Sequence, residues 1–174
     1  MDTEQLMALC KSYTQDTLDQ LDRIEKSCTF EIFNSDEALK LGNCLVEASK
    51  NYPNGVAIMI TREVDESVIF QYISDDKSSR NIGFANMKRK AVLESQHSSF
   101  YRFIDYAIHD KDVSSLFGKE ALYVGGAFPI IVNDELVATI AVSGLKEGLD
   151  QELILKGLSK YFNKDIKMFD GFVL

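Results

Sequence analysis

The sequence is poor in the residues that build disulfide frameworks and metal sites. Its 174 residues include three cysteines, Cys10, Cys28 and Cys44, and only two histidines. The cysteines are odd in number and form no C-x-x-C pair, so we expect reduced thiols in a cytosolic protein rather than a disulfide scaffold. The histidines, His97 and His109, show no H-x-x-x-H spacing, which disfavours a structural zinc site.

Long apolar runs, an excess of positive charge and the common phosphate-binding loops are also missing. No window approaches the roughly 18 uncharged apolar residues of a membrane span, and the first residues lack the apolar core of a signal peptide. The net charge of −8 disfavours nucleic acid and anionic membranes as partners of the whole surface. Neither a P-loop nor a G-x-G-x-x-G fingerprint is present, which disfavours nucleotide binding of those types.

Five short segments with strand-like patterns predict a sheet. The second and third segments, and the fourth and fifth, are separated by short polar turns, which predicts two antiparallel hairpins. The predicted strands are residues 28–33, 56–61, 67–73, 127–132 and 136–143. The proline at position 129 cannot donate to a strand ladder, so we expect its strand at a sheet edge.

Helical spacing predicts the elements around these strands. It covers residues 3–26, with Thr3 as a candidate N-cap, and begins again after Asn34, which resembles the first residue of a capping box. Residues 81–108 predict two helices or one kinked helix, and we expect the last helix to begin at Asp150 as its N-cap. Helices placed between hairpins favour an α+β fold with one mostly antiparallel sheet.

The most basic segment of the chain lies between residues 77 and 102. Six lysines and arginines stand there against one acid, Glu94, which gives a local charge of +5 in a chain of −8. One interpretation is a solvated helix face, on which Lys90 and Glu94 pair four residues apart. The other is an anion site for a carboxylate or phosphate group, with Lys88 and Arg89 among the ligand contacts.

A His-Ser-Ser sequence, residues 97–99, follows the basic segment. Adjacent helical side chains point about 100° apart, so His97 is poorly placed to activate Ser98 as a nucleophile. We expect one of the serines to cap the next helix and His97 to be hydrogen-bonded and half-buried, although a neutral histidine can also ligate haem iron. Gly125 and Gly126 precede a strand, where we expect a positive φ or a close backbone approach.

The order of several short motifs resembles a known family. Lys90-Ala91 on a helix precedes Gly125-Gly126-Ala127-Phe128-Pro129-Ile130, and Val142-Ser143-Gly144 ends the next strand before an aspartate and a last helix. This order resembles the GlcG/HbpS-like superfamily, often labelled a haem-degrading domain. It is also similar to the C-terminal domain of PduO-type corrinoid adenosyltransferases. Residues 88–91 with 97–101 resemble, more specifically, a subgroup of small uncharacterised cytosolic proteins of bacteria and fungi.

The resemblance covers about residues 30–162 and implies a profilin-like fold. That fold has a five-stranded antiparallel sheet flanked by helices, here with an N-terminal helical extension. We therefore expect a single domain over residues 1–174, with the extension at 1–27, the core at 28–162 and a tail at 163–174.

The resemblance also implies a homo-oligomer, and some members of the family bind haem or related tetrapyrroles. By that analogy the cofactor site would involve Lys90, His97, Gly125 and Gly126. We add four candidate ligand contacts, Lys88, Arg89, Ser98 and Ser143.

Three functions remain open, and we rank them in decreasing order of preference. The first is an oligomeric, non-catalytic protein that binds haem or another carboxylate-bearing tetrapyrrole through the basic helix. Its apolar walls would be Phe84, Met87, Phe100 and Phe128. The second is a scaffold or interaction protein whose basic helix forms subunit contacts. The third is an enzyme that acts on a small acid or on haem, with Lys90 or His97 as the acid–base group.

Overall fold

A computed structural model describes residues 13–109, 120–145 and 147–166 of the chain. This part contains, in chain order, α1 (Gln15–Ser27), α2 (Ser35–Ser49), β1 (Ala57–Arg62), β2 (Ser67–Ile73), α3 (Ser79–Ser95), α4 (Ser99–Ile108), β3 (Ala127–Val132), β4 (Glu135–Ser143) and α5 (Glu147–Phe162). The candidate cap Thr3, Cys10 and most of the predicted tail lie outside the described residues. Within these ranges, no helix is both long enough and apolar enough to cross a membrane.

The four strands form one antiparallel sheet in the order β2-β1-β4-β3. β1 pairs on both sides, with Ile60 opposite Phe70 of β2 and opposite Ile140 of β4. The turns after β1 and after β3 therefore lie at the same end of the sheet, which we call the turn end. There the Glu63 amide donates a hydrogen bond to the Val137 carbonyl at 2.9 Å. The predicted α+β class with an antiparallel sheet flanked by helices is confirmed, as is the edge position of the strand that contains the proline.

The fifth predicted strand, at residues 28–33, is wrong. Phe30 makes only an isolated parallel bridge to Val132 on the edge of β3. Its ring packs against Phe33 and against two aromatic rings of α5, so side-chain packing rather than a ladder holds the segment. The alternation that predicted a strand reflects the burial of Cys28 and Phe30 beside the core.

Helices cover both faces of the sheet. One face carries the main core, where α2 and α5 contribute Leu41, Leu45, Leu153 and Leu158 against Ile58, Ile60 and Ile140. The other face packs against α3, through a smaller cluster of Met59, Ala85, Val92, Ala127 and Ala141. The alanines in this second cluster allow α3 to lie close to the strands, since they add little bulk between the two backbones.

The N-terminal helix packs against α4 instead of the sheet. Of the helix predicted over residues 3–26, residues 3–12 lie outside the described residues. α1 begins at Gln15 because Thr14 adopts an extended backbone and caps it. The ring of Tyr13 makes edge contacts with Phe100 and Phe103 of α4, at centroid distances of 5.9 and 6.2 Å. The extension therefore covers the apolar face of α4.

Residues 81–108 form two helices, as predicted. α3 ends at Gln96, whose backbone is left-handed with φ of 63°. The side chain of Ser98 then caps α4 by accepting a hydrogen bond from the Tyr101 amide at 3.1 Å. The prediction that a serine caps the second helix is confirmed for Ser98.

We expect Asn34→Ala to lower the free energy of unfolding by about 1 kcal/mol. Asn34 Oδ1 accepts hydrogen bonds from the amides of Asp36 and Glu37, each at 3.0 Å, and alanine would leave both amides without this acceptor. Asn43→Ala, at an exposed position of the same helix, is the matched control and should not destabilise, since alanine is the better helix former. Urea denaturation compares the two, and equal losses in both variants would contradict the role of the cap.

Candidate functional site

The residues predicted to form one cleft are held by two sets of contacts, one around Lys88 and Gly126 and one around His97 and Ser98. The Ser99 hydroxyl connects them, since it accepts the Ala127 amide at 3.0 Å, directly after Gly126. Lys88 and Arg89 are only 3% and 6% exposed, whereas Lys90 is exposed to solvent. Lys88 and Arg89 therefore belong neither to a solvated helix face nor to an open anion site, the two alternatives that the sequence allowed. The predicted pairing partner of Lys90, Glu94, accepts a hydrogen bond from the Tyr123 hydroxyl.

Lys88 is buried against α5. Its Nζ donates to Asp150 Oδ2 at 2.7 Å and to the Val142 carbonyl at 3.1 Å. Asp150 in turn accepts the Leu145 amide at 3.0 Å. The prediction that Asp150 begins the last helix is wrong, because α5 begins at Glu147 and the carboxylate is used one turn into the helix. The ion pair and its backbone contacts join α3, β4 and α5.

Gly126 lies beside this ion pair and leaves room for it. Its φ is +122°, and a Cβ there would lie 2.7 Å from Lys88 Nζ and 2.8 Å from the Asp150 Cβ. The Gly126 amide donates to Gln151 Oε1 at 3.3 Å. The close packing expected for this glycine is present, and the space beside it is filled by side chains of the chain itself. Gly125 and Ser143 are also buried.

Arg89 is paired with the turn after β1. Its Nε donates to the two carboxylate oxygens of Glu63 at 3.0 and 3.1 Å, and its Nη2 donates to Glu66 Oε1 at 3.1 Å. The hydrogen bonds that Arg89 donates to Glu63, more than any other contact, raise the pKa of Arg89 above its ordinary value. Arg89 therefore fixes α3 to the first hairpin, and its positive charge is compensated within the chain.

His97 lies at the corner between α3 and α4, where two neighbours hold its ring. Nδ1 is 2.7 Å from Glu25 Oε2, and the ring stacks on Tyr101 with centroids 4.0 Å apart and planes 12° apart. The side chain is 36% exposed, which confirms the prediction of a hydrogen-bonded, half-buried histidine. Because a carboxylate only accepts, Nδ1 carries the proton and Nε2 is the ring nitrogen left to bind a ligand.

Glu25, which was not among the residues predicted from the sequence, holds His97 and the start of α4 in place. The residue is buried on α1, and its second oxygen accepts the Ser98 amide at 2.9 Å. The hydrogen bond that His97 donates to Glu25 raises the pKa of His97 above its ordinary value, although burial acts in the opposite direction. One sequence signal was present: Glu25 follows Leu18 and Leu21 at helical spacing, and an acid on an apolar stripe usually has a buried partner.

The four apolar residues predicted to line a ligand site do not form one wall. Phe128 is buried in the main core and Phe100 in the cluster between α1 and α4. Phe84 is half-buried beneath the guanidinium of Arg80, which lies 5.4 Å from its ring centroid. Met87 is half-buried on α3. Of the predicted residues, the structure brings together Lys88 with Gly126, and His97 with Ser98.

We expect Lys88→Met to destabilise the fold by about 3–5 kcal/mol, because it removes the amine that compensates the buried Asp150 carboxylate. Lys90→Met is the matched control, and should change the free energy of unfolding by less than about 0.5 kcal/mol because that side chain is exposed. The double variant Lys88→Met/Asp150→Asn should recover part of the loss. Urea denaturation of the three proteins measures these values, and a Lys88→Met protein as stable as Lys90→Met would overturn the role assigned to the pair.

The contact between His97 and Glu25 predicts a pH dependence of stability. The pKa of His97 is raised in the folded state, so the stabilisation is complete below the ordinary histidine pKa of about 6.5 and is lost as the pH rises through the raised value. Wild type should exceed His97→Gln in stability by up to about 1 kcal/mol at low pH, and this margin should shrink toward pH 9. Urea denaturation at stepped pH gives the margin, His109→Gln serves as control, and a margin that stays constant with pH would contradict the prediction.

The chain matches one family model over most of its length and resembles several proteins of that kind. The model described as "Haem degrading protein HbpS-like" matches residues 33–159. The UPF0303 protein of Rhizobium etli is 28% identical over 145 residues, which cover 82% of this chain and 87% of the relative. The UPF0303 protein of Streptomyces avermitilis is 28% identical over 152 residues, with 85% and 92% covered.

Solved structures agree with this match. The crystal structure of the Ybr137w protein superposes with a TM-score of 0.74 at 28% identity, and the match covers 84% of this chain and 87% of that one. HbpS superposes with a TM-score of 0.60 at 17% identity, over 74% and 89% of the two chains. The PduOC:Heme complex superposes with a TM-score of 0.61 at 12% identity, over 73% and 93%, and at such identities these last two likenesses concern the fold alone. The resemblance inferred from the order of short motifs is confirmed: the chain belongs to the HbpS-like haem-degrading protein family.

Proposed function

We propose that the protein is an oligomeric, non-catalytic binder of haem or another carboxylate-bearing tetrapyrrole, with His97 as the iron ligand. The observation that carries the proposal is the orientation of the His97 ring, whose Nδ1 is held by Glu25 and whose Nε2 is left for a ligand. Histidines that bind metals commonly donate their other ring N–H to a carboxylate, which fixes the tautomer and raises the basicity of the ligand. A haem complex among the structural neighbours makes haem the first cofactor to test.

The residues around His97 fit a tetrapyrrole. Tyr101 stacks on one face of the imidazole and so helps to hold the ring that would bind the iron. Arg102 lies near His97, and Lys26 lies near Tyr101. Each is paired within its own helix, Arg102 with Asp105 at 3.2 Å and Lys26 with Asp22 at 2.6 Å, but their side chains are 30% and 75% exposed and can reach carboxylate groups of a ligand. His97 would hold the iron, with Arg102 and Lys26 for the carboxylates, and bound haem would supply a redox-active, ligand-binding centre.

This assignment replaces Lys88 and Arg89 as carboxylate contacts, since both are buried as well as paired with Asp150 and Glu63. Their burial also weakens the scaffold alternative, in which the same residues contact another subunit. Of the three consecutive cations on α3, only Lys90 is exposed at the surface, where another subunit could contact it. Binding therefore remains the preferred function over both the scaffold and the enzyme.

The homo-oligomer and the cytosolic location are part of the same proposal. Large apolar side chains are exposed among the described residues and support subunit contacts: Ile32, Leu39, Val64, Val68 and Tyr72. The free thiols of Cys28 and Cys44 support a reducing compartment.

Titration of the full-length protein with haemin, followed by the Soret band, tests the proposal. Wild type should give a saturable shift, and His97→Ala should bind at least about tenfold more weakly, because the iron loses its protein ligand. His109→Ala is the matched control, since it removes the other histidine, whose side chain is 50% exposed, and it should bind as wild type does.

Two further measurements separate specific ligation from adsorption of haem. Affinity should rise with pH as His97 loses its proton, because only the neutral imidazole ligates iron. Glu25→Gln should weaken binding while far-UV circular dichroism stays unchanged. Absence of a saturable Soret shift in wild type, or equal affinity in wild type and His97→Ala, would remove haem from the proposal.

A further inference from the structure

A cavity of about 370 Å³ opens at the turn end of the sheet. Five apolar side chains line it, Phe33, Val64, Ile69, Leu136 and Val137, together with polar residues from the start of α2 and from the two turns. Small-molecule sites occupy about 300–1,000 Å³ and combine an apolar lining with a few polar groups. The volume therefore suits a small ligand.

The cavity is remote from His97. His97 is close to the first residue of β3, because the hydroxyl of Ser99, two residues later, accepts the Ala127 amide. The cavity lies at the other end of this strand, since it is lined by Glu135, which follows the last residue of β3. A six-residue strand spans roughly 20 Å. The two places are therefore at opposite ends of the strand, and a ligand in the cavity would not contact His97.

Two charged groups in the lining are already compensated within the chain. Arg62 donates to both oxygens of Asp65, from Nε at 3.0 Å and from Nη2 at 2.5 Å. Glu63 accepts the guanidinium of Arg89. Neither group is therefore left to select a ligand of opposite charge.

The start of α2 does not favour an anion either. Asn34 Oδ1 already accepts the amides of Asp36 and Glu37. The Asp36 carboxylate adds negative charge to the first turn of the helix, where the helix dipole would otherwise attract an anion, whereas Glu37 is paired with Lys40 at 2.6 Å. This side of the cavity therefore disfavours a negatively charged ligand.

Glu135 is the one charged lining residue with no ion-pair partner in the described part of the chain. It is exposed at the first residue of β4. An apolar lining next to an uncompensated carboxylate favours a ligand with a short apolar body and a cationic head. We propose that the cavity at the turn end is a second binding site, specific for a small amphipathic amine.

Titration of the ¹⁵N-labelled full-length protein with n-hexylamine, 1-hexanol and hexanoate tests the proposal by amide chemical shifts. The three probes share one apolar body and differ in the charge of the head. Hexylamine should perturb residues 33–35, 62–64 and 135–137, and should bind about two- to fivefold more tightly than hexanol, the range expected for one exposed ion pair. Hexanoate should bind most weakly.

Variants at exposed positions keep the test independent of folding. Glu135→Gln should abolish the preference for hexylamine over hexanol, while Glu31→Gln, exposed and outside the lining, should retain it. Val64→Lys in the Glu135→Gln background places an uncompensated cation in the lining at a side chain that is exposed, and should invert the preference in favour of hexanoate. Glu135→Gln should bind haemin with the same affinity as wild type. The proposed amine site and the proposed haem site are therefore tested independently of each other.

Equal affinity for the three probes, or shifts spread over the acidic surface rather than the lining, would overturn the proposal. So would an unchanged preference in Glu135→Gln. Shifts of the same lining amides on raising the protein concentration without any probe, together with a rise in mass by light scattering, would assign the cavity to a second copy of the chain instead.

Discussion

The arrangement of the helices depends on one buried ion pair. Lys88 extends from α3 on one face of the sheet and meets Asp150 of α5 on the other face, close to the end of β4. The two side chains pass beside Gly126, where no Cβ could be accommodated. A buried pair of this kind adds little net stability, but an arrangement that separates its partners leaves uncompensated charge and is strongly disfavoured. The pair therefore selects one relative position of the two helices.

Much of the fold follows from local patterns in the sequence. Both hairpins, the division between α3 and α4, the cap at Ser98 and the edge position of β3 result from spacing, turn residues and backbone chemistry within a few residues. The strand predicted at residues 28–33 failed because alternating burial against a core produces the same pattern as a ladder. The bridge at Phe30 was therefore not distinguishable from a full strand.

The site was harder to predict because its partners are distant in sequence. Lys88, Arg89 and Lys90 are consecutive cations, yet the first pairs with an acid 62 residues away and the second with one 26 residues away. Local charge counting cannot show which of them turn inward. Glu25 posed the same difficulty, since it acts on His97 from 72 residues earlier in the chain. It also lies before residue 33, where the family match begins, so the extension supplies a group on which the His97 corner depends.

The Phe30 segment has a consequence for how the molecule meets its neighbours. An edge strand presents unpaired amides and carbonyls that can recruit a strand from another chain, which leads to uncontrolled association. By bridging to Val132, and with its ring fixed by Phe33, Tyr161 and Phe162, Phe30 blocks part of the outer edge of β3. The segment that resembled a fifth strand thus occupies the end of this edge, where the Phe30 amide binds the Ile131 carbonyl that a strand of a second molecule could otherwise use.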